Sequence, residues 1–166
     1  MRRLLAIVLW CLVPACSAVL VGGKWHRQVS LTPREIILRA PQCKPGTVTA
    51  RTSLILMADG PCPDYATVDS IVAKLLAELE YPVDGLAGVN VITTWNRIYN
   101  TTYAEHDDGL PLAEGRVLLV SLVDLKRNLR HEAFHAVLYH EGNATGDPRH
   151  FDLRWCRVDD DYCPKR

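Results

Sequence analysis

The hydrophobic pattern divides the chain into stretches with the periods of strands and of helices. Three strands are predicted where apolar and β-branched residues dominate, at residues 47–57, 90–95 and 117–123. Apolar residues recur at helical spacing from Val68 to Leu79 and predict an amphipathic helix. A second helix is predicted between Asp124, as its N-cap, and Gly142, as its end. This order of elements predicts an α+β domain.

The sequence between these elements is richer in turn-forming and polar residues. Residues 32–35, TPRE, have the spacing of a capping box and predict a short helix, or else a strand, over residues 36–38. Residues 96–115 are mostly polar and predict a loop. Its charged residues 106–108, HDD, either line a cleft or face water, and we expect them to face water.

Length and charge limit the architecture and exclude one class of partner. The chain has 166 residues, of which 48% are hydrophobic, and this suits one domain with a buried core. Its formal net charge is +0, so no basic surface for nucleic acid is expected. A single globular domain that binds no nucleic acid is therefore predicted.

The first residues have the pattern of an export signal. The sequence MRR is positively charged, and residues 4–13 are apolar. The following VPAC resembles the lipobox of bacterial lipoproteins. That resemblance implies removal of residues 1–15 and a lipid on Cys16. It also implies a membrane-anchored protein of the bacterial cell envelope, facing the periplasm or the exterior.

Two other interpretations of the N-terminus stay open. Signal cleavage after small residues would remove residues 1–18, and the uncharged stretch 4–23 is long enough to remain as a membrane anchor. All three routes export the chain. In the lipoprotein interpretation, residues 16–32 form a tether and residues 33–166 form the domain.

The cysteine count agrees with export. Six cysteines occur, and four remain once the signal segment is removed and Cys16 carries a lipid. Four cysteines allow three pairings, of which sequence proximity favours Cys43–Cys62 and Cys156–Cys163. A zinc site made of the four thiols is disfavoured, because no C-x-x-C pair occurs. Two disulfides are therefore predicted.

The second predicted helix contains the pattern H-E-x-x-H at residues 131–135. Residues four apart lie on one face of a helix, so His131 and His135 can direct their rings to one metal ion. Glu132 lies about 100° round the helix from His131 and can reach a water molecule beside such an ion. Because an unpaired buried imidazole is costly, the pattern predicts a metal site in preference to core histidines held by hydrogen bonds.

The strand, the helix and the loop around this motif resemble the active-site segment of zincin metallopeptidases. The resemblance implies Zn²⁺ bound by His131 and His135, with Glu132 as the general base and a third ligand further along the chain. It also implies a small zincin-like fold, in which a mixed or antiparallel sheet packs on the active-site helix. The edge strand of that sheet, at residues 117–122 or a neighbour, would bind the substrate main chain.

The third ligand does not follow the commonest zincin pattern. Leu138 and Glu141 stand where the metzincin subgroup has a glycine and its third histidine. His140 and Glu141 are also poorly directed, because helix geometry turns them about 140° and 120° away from His135. Neither is expected to bind the metal ion.

His150 is the predicted third ligand. Residues 142–148 are a dense run of turn formers that can fold the chain back towards the helix. The ending GDPRH, residues 146–150, resembles the tails of zincin-like bacterial proteins. Asp152 is the alternative ligand, or a carboxylate that orients His150.

Two functions are compatible with these residues. The first is an exported zinc metallopeptidase that hydrolyses a peptide or protein substrate, with Glu132 moving the proton. Tyr139, one turn beyond His135, is placed to stabilise an oxyanion, although packing is the simpler role for it. The second is a non-catalytic envelope protein that keeps the zincin scaffold as a binding or structural module. The retained Glu132 favours the first, because a structural zinc site needs no base.

Overall fold

The computed structural model describes residues 18–21 and 24–163, which form nine strands and four α-helices. The strands are β1 Ala18–Val21, β2 Lys24–Arg27, β3 Ser30–Leu31, β4 Ile55–Asp59, β5 Asn90–Thr94, β6 Arg97–Asn100, β7 Glu105–Asp107, β8 Gly109–Leu112 and β9 Val117–Ser121. The helices are α1 Pro33–Arg39, α2 Tyr65–Glu78, α3 Leu125–His140 and α4 Trp155–Val158, followed by a 3-10 turn at Asp160–Tyr162. The protein is a small α+β fold with mixed sheets, as the order of elements predicted.

The centre of the fold is a four-stranded mixed sheet with the order β4-β5-β9-β8. β4, β5 and β9 are parallel, and β8 runs antiparallel to β9 at one edge. Side chains alternate between the two faces, so Leu118 and Val120 of β9 face one core and Leu119 faces another. Burial on both faces explains the nearly continuous apolar sequence of this inner strand.

Helices α2 and α3 cover one face of this sheet. Their buried apolar residues form the larger core with the strands: Val68, Val72, Leu75 and Leu76 from α2, and Leu129, Ala133, Phe134 and Val137 from α3. The spacing that predicted the two helices is therefore the spacing of their buried faces. Because α3 packs along β9 and β8, each of its residues has a fixed position relative to this edge of the sheet.

Helix α1 and a three-stranded sheet of order β3-β6-β7 cover the other face. The Thr32 side chain accepts a hydrogen bond from the Glu35 N–H, and the Glu35 carboxylate accepts one from the Thr32 N–H. This capping box confirms the helical alternative for residues 36–38. β3 pairs with β6, so the folded part of the chain reaches back into residues 16–32, the predicted tether.

The strand predicted at residues 47–57 was wrong in its first half. Only Ile55–Asp59 forms a strand, because the preceding threonines make local bonds instead. Thr49 Oγ1 and Thr52 Oγ1 lie 2.8 Å apart, and the buried Asp69 of α2 accepts from the Thr52 N–H and hydroxyl. Threonine alternation therefore marked a side-chain network rather than a strand.

The loop predicted at residues 96–115 was also wrong, because this stretch contains β6, β7 and β8. β6 and β7 form an antiparallel pair, and β8 is the edge strand of the central sheet. Most side chains of β7 and β8 are exposed or half-buried, so the apolar alternation that identifies a strand is weak there. Polar edge strands are the elements that hydrophobic periodicity detects least well.

Two disulfides join Cys43 to Cys62 and Cys156 to Cys163, the pairing predicted from sequence proximity. Disulfides persist in oxidising compartments, so they indicate an extracellular setting. None of the helices within residues 18–21 and 24–163 has both the length and the apolar content that a membrane crossing requires. The lipidation site at Cys16 and the signal residues 1–15 lie outside the described residues.

We predict that Asp69→Ala lowers the free energy of unfolding by about 2–4 kcal/mol, because it leaves buried donors of Thr52 and Arg51 unpaired. The Asp69 carboxylate accepts from the backbone N–H groups of both residues. Urea denaturation measures the change. The exposed Asp84 is the control, and its replacement by alanine is expected to change stability by less than about 0.5 kcal/mol. Equal stability of the two variants would contradict the importance of this network.

Candidate metal centre

Helix α3 fixes the first two histidines. Asp124 caps its N-terminus by accepting from the Arg127 N–H at 3.4 Å, as the sequence predicted. The apolar face of the helix is buried against the sheet, which leaves no freedom to rotate about the helix axis. His131 and His135, one helical turn apart, therefore project from the same side.

A tight loop after α3 returns His150 to these histidines. Gly142 (φ +93°) and Gly146 (φ +61°) both adopt left-handed backbone conformations that favour glycine. A side chain at Gly146 would also collide with the ring of Tyr139. The His150 N–H donates to the Asp147 carbonyl at 3.0 Å and closes the turn. The predicted turn-rich segment thus folds the chain back.

The three histidines form one compact cluster. His135 Nε2 lies 3.2 Å from His131 Nε2 and 3.3 Å from His150 Nε2. The three ligand nitrogens all lie within 4.8 Å of one another, and the group can hold a metal ion. Within the described part of the chain, this is the only group of three or more histidine, cysteine or acidic side chains with that property.

A hydrogen bond sets the tautomer of His135. Its Nδ1 lies 2.6 Å from the carbonyl oxygen of Gly146, which can only accept. The proton of the neutral ring is therefore on Nδ1, and Nε2 presents its lone pair to the centre of the cluster. Because Gly146 belongs to the loop that carries His150, the same bond holds the loop against the helix.

Burial keeps the three imidazoles neutral. It lowers the pKa of His131 to about 3, with the neighbouring rings of His135 and His150 acting in the same direction. Burial also lowers the pKa of His135 to about 4, although the bond to Gly146 opposes the shift. The pKa of His150 is lowered by burial as well. Neutral imidazole is the form that binds a metal ion.

Aromatic rings surround the histidines. Trp155, which is almost fully buried, has its ring centroid 4.8 Å from His131, 4.7 Å from His135 and 4.3 Å from His150. Tyr162 packs on His150 at 4.2 Å. The Trp155 indole N–H donates to Asp147 at 2.9 Å, and the same carboxylate oxygen accepts from the Asp152 N–H. These contacts fix the loop and limit water around the cluster.

Glu132 lies next to the cluster in an environment unfavourable for a charge. Its side chain is 4% exposed, and Oε2 is buried with no hydrogen-bond partner among the described residues. Burial, with Asp107 and Asp108 nearby, raises the pKa of Glu132 well above its usual value. The first residue of β8 is Gly109, where a Cβ would collide with the Glu132 side chain. Only glycine lets the edge strand approach this closely.

Two cavities meet at His131, Glu132 and His150. One has a volume of about 270 Å³ and is bordered by Asp107 and Asp108. The other has a volume of about 400 Å³ and runs along β8. Its lining residues also come from β6, β7 and the turn between them, from β8, and from α3 and the following loop: Asn100, Tyr103, Glu105, Asp107, Gly109, Leu110, Pro111, His135, Tyr139, Thr145 and Pro148. A ligand in either cavity reaches the histidines and Glu132 together.

The structure does not bring every predicted residue into the cluster. His140 turns away, and its Nδ1 lies 3.1 Å from the Gly85 carbonyl, as the helical rotation predicted. Glu141 pairs with Arg154, outside the cluster. The Asp152 carboxylate also accepts from Arg154, and it is not among the side chains grouped closely enough to share a metal ion. Tyr139 borders the larger cavity with its ring against Gly146.

The sequence reasoning missed Trp155, Tyr162 and the role of Asp147. In the sequence, Asp147 stands out only as a turn former, although an aspartate near a potential metal ligand can also orient that ligand. Trp155 and Tyr162 lie in a charged C-terminal stretch without apolar periodicity, so no pattern marked them as core residues. Residues 106–108 were expected to face water; His106 and Asp108 are exposed and Asp107 is half-buried, but both aspartates also border the smaller cavity.

No protein-family model, no curated protein sequence and no solved structure matches the chain. The arrangement of the three histidines and Glu132 is therefore the observation on which any assignment of function depends. The three histidines in this arrangement are the metal ligands predicted from the sequence, and the alternative ligand Asp152 is not among them.

We predict that the purified protein binds one zinc ion per chain through His131, His135 and His150. Replacing any one by alanine is expected to lower the zinc affinity by more than about 100-fold, because a ligand contributes more than its outer hydrogen-bond partners do. Elemental analysis and competition with a chelating dye measure content and affinity. His140→Ala is the matched control and keeps wild-type zinc content; a dispensable His150 would contradict the assignment.

We also predict that the metal-free protein loses stability as the pH falls from about 6.5 to about 4. In this window the unfolded chain protonates its histidines while the folded chain, with pKa values of about 3 for His131 and about 4 for His135, resists protonation. The raised pKa of Glu132 has the opposite effect on the pH dependence of stability. One glutamate is expected to offset only part of the effect of the three histidines. Denaturation at several pH values tests this. The double variant His131→Gln/His135→Gln is expected to have a flatter profile, and an equally steep one would contradict the account.

Proposed function

We propose that this protein is a zinc-dependent metallopeptidase of zincin type. The single observation that carries the proposal is the buried, unpaired carboxylate of Glu132 beside three converging imidazole nitrogens. A structural metal site needs its ligands alone, whereas an adjacent carboxylate without a hydrogen-bond partner is costly unless it has a chemical role.

The donor set fits zinc. Three nitrogens about 2.0–2.1 Å from one ion in tetrahedral geometry are separated by about 3.3–3.4 Å. The separations of 3.2 Å and 3.3 Å from His135 Nε2 agree with that value, and all three ligand nitrogens lie within 4.8 Å of one another. Three neutral imidazoles with no thiolate are typical of catalytic zinc sites, which keep a fourth position for water. When bound, the ion acts as a Lewis acid towards a water molecule and the substrate carbonyl.

Glu132 supplies the proton transfer in this proposal. Its Oε2 accepts a proton from the attacking water and returns it to the leaving amine. Because its pKa is raised, the ionised carboxylate of Glu132 is a stronger proton acceptor than an ordinary glutamate. Gly109 keeps the glutamate in place, since the strand backbone lies directly against its side chain.

The substrate main chain is proposed to lie along β8. This strand is at the edge of the central sheet, antiparallel to β9, and it borders the larger cavity beside the histidines. An edge strand offers unpaired N–H and C=O groups to an extended peptide. Of the two strands considered from the sequence, β9 is paired on both sides, so its neighbour β8 is the better choice.

The proposed location is the bacterial cell envelope, facing the periplasm or the exterior, with the protein held to the membrane by a lipid on Cys16. The two disulfides support an oxidising compartment. The charged N-terminus and the lipobox-like VPAC support export and lipidation. The short hairpin of β1 and β2 directly follows this segment.

We predict that Glu132→Gln keeps the wild-type zinc content and stability but loses at least about 10²-fold in peptide hydrolysis. The reason is that glutamine has the shape of glutamate but cannot take up the proton. A library of quenched fluorescent peptides, digested by wild type and variant after zinc analysis, measures the change. Absence of cleavage by fully metallated wild type, or equal cleavage by both proteins, would favour the non-catalytic binding module instead.

A further inference from the structure

The smaller cavity beside the histidines has a negatively charged wall. Asp107, Asp108 and Glu132 all border it. Asp159 and Arg127 also border it, and these two are paired with each other at 2.8 Å. The excess of carboxylates is therefore at Asp107, Asp108 and Glu132.

These carboxylates have no cation of their own. Arg127, the cation that borders the cavity, is bound by Asp159 and by Asp161. In residues 24–163, no arginine, lysine or histidine forms a salt bridge with Asp107, Asp108 or Glu132. Asp107 and Asp108 therefore have no salt-bridge partner within residues 24–163, and a cation that enters the cavity can bind them.

The backbone holds the two aspartates firmly. Asp107 is the last residue of β7 and pairs with Ile98 in the three-stranded sheet. Asp108 is the single residue between β7 and β8, and its carbonyl accepts from the Ser121 N–H at 2.8 Å. Two sheets thus fix the backbone of this short connection.

Two buried oxygen atoms point to a missing partner. Only 4% of the surface of Glu132 is exposed, and its Oε2 atom has no hydrogen-bond partner among the described residues. The Oδ2 atom of Asp107 is buried and without a partner in the same part of the chain. An acceptor in this position is satisfied only by a donor that enters the cavity.

A second metal ion does not fit this set of oxygens. Among the described residues, only the three histidines bring ligand atoms close enough together to share one ion. The carboxylates at Asp107, Asp108 and Glu132 are spread along the wall of a cavity of about 270 Å³. Such a spread suits a larger cation with several N–H donors, of which guanidinium is the best example in peptides.

We propose that this cavity receives a positively charged side chain of the peptide substrate, arginine in preference to lysine, from a residue next to the cleaved bond. The proposal rests on the proposed peptidase function. Asp107 and Asp108 would bind the charged group, and the histidines and Glu132 at the inner end of the cavity would act on the adjacent peptide bond.

Binding is tested first, without reference to catalysis. Alanine pentapeptides with one central arginine, or its neutral analogue citrulline, are titrated into isotope-labelled full-length protein and followed by NMR. We expect the arginine peptide to shift the amide signals of Asp108 and Gly109 and to bind about 10- to 100-fold more tightly than the citrulline peptide, as for a hydrogen bond to a charged group. Equal affinity, or no binding of the arginine peptide, would overturn the proposal.

The aspartates are then tested one at a time. Asp107→Asn and Asp108→Asn are each expected to reduce the preference for arginine over citrulline by about tenfold or more, whereas Asp84→Asn, on an exposed loop, leaves it unchanged. The NMR spectrum of each variant verifies its fold. A preference that survives in both cavity variants would overturn the assignment.

Cleavage of matched arginine and citrulline substrates separates this proposal from the proposed function. Faster cleavage of the arginine substrate, lost in Asp107→Asn and Asp108→Asn, supports both. Cleavage of both substrates at one rate overturns the charge preference and leaves the peptidase standing. Aspartate-dependent binding of the arginine peptide, with no cleavage of any peptide by zinc-loaded protein, identifies a cationic-peptide binding site and overturns the peptidase.

Discussion

The hydrogen bond between His135 Nδ1 and the Gly146 carbonyl is the contact on which the site depends. It joins the middle of α3 to the loop that follows it, at a distance of 2.6 Å. It thereby helps to bring His150 to within 3.3 Å of His135 across the nine residues that separate α3 from His150. The bond also selects the tautomer that presents Nε2. One interaction thus sets both the position of the third nitrogen and the chemical state of the second.

The surroundings make the cluster unstable unless something binds to it. Trp155 and Tyr162 pack on the rings of the cluster, and burial lowers the pKa values of all three histidines. Glu132 is under the same constraint, since Gly109 and the sheet edge shield it from solvent. If nothing bound here, replacing these residues by apolar ones would increase the free energy of unfolding.

Much of this site followed from the sequence because its parts obey local rules. His131, Glu132 and His135 have fixed angular relations on any helix, and the turn formers after Gly142 predicted that the chain folds back towards His150. The same helical geometry explained why His140 points to Gly85 instead. Helices α2 and α3 were predicted well for a similar reason, since their buried faces repeat at 3.6 residues.

The parts that could not be predicted depend on contacts between distant segments. Asp107 and Asp108 reach the site only because β7 and β8 belong to two different sheets, which a polar sequence of mixed periodicity does not reveal. Thr52 and Asp69 likewise meet across 17 positions of sequence, so the threonine pattern suggested a strand that does not form. Asp152 was a reasonable alternative ligand until the position of Arg154, which binds both of its carboxylate oxygens, was known.

The central claim is that three histidine nitrogens and no sulfur hold one zinc ion beside Glu132. X-ray absorption at the zinc edge of the purified, zinc-loaded protein tests it most directly. The account predicts a first shell of nitrogen and oxygen atoms only, at about 2.0–2.1 Å, with the outer-shell scattering pattern of three imidazole rings. A sulfur shell at about 2.3 Å, or a signal from fewer than three imidazoles, would contradict it.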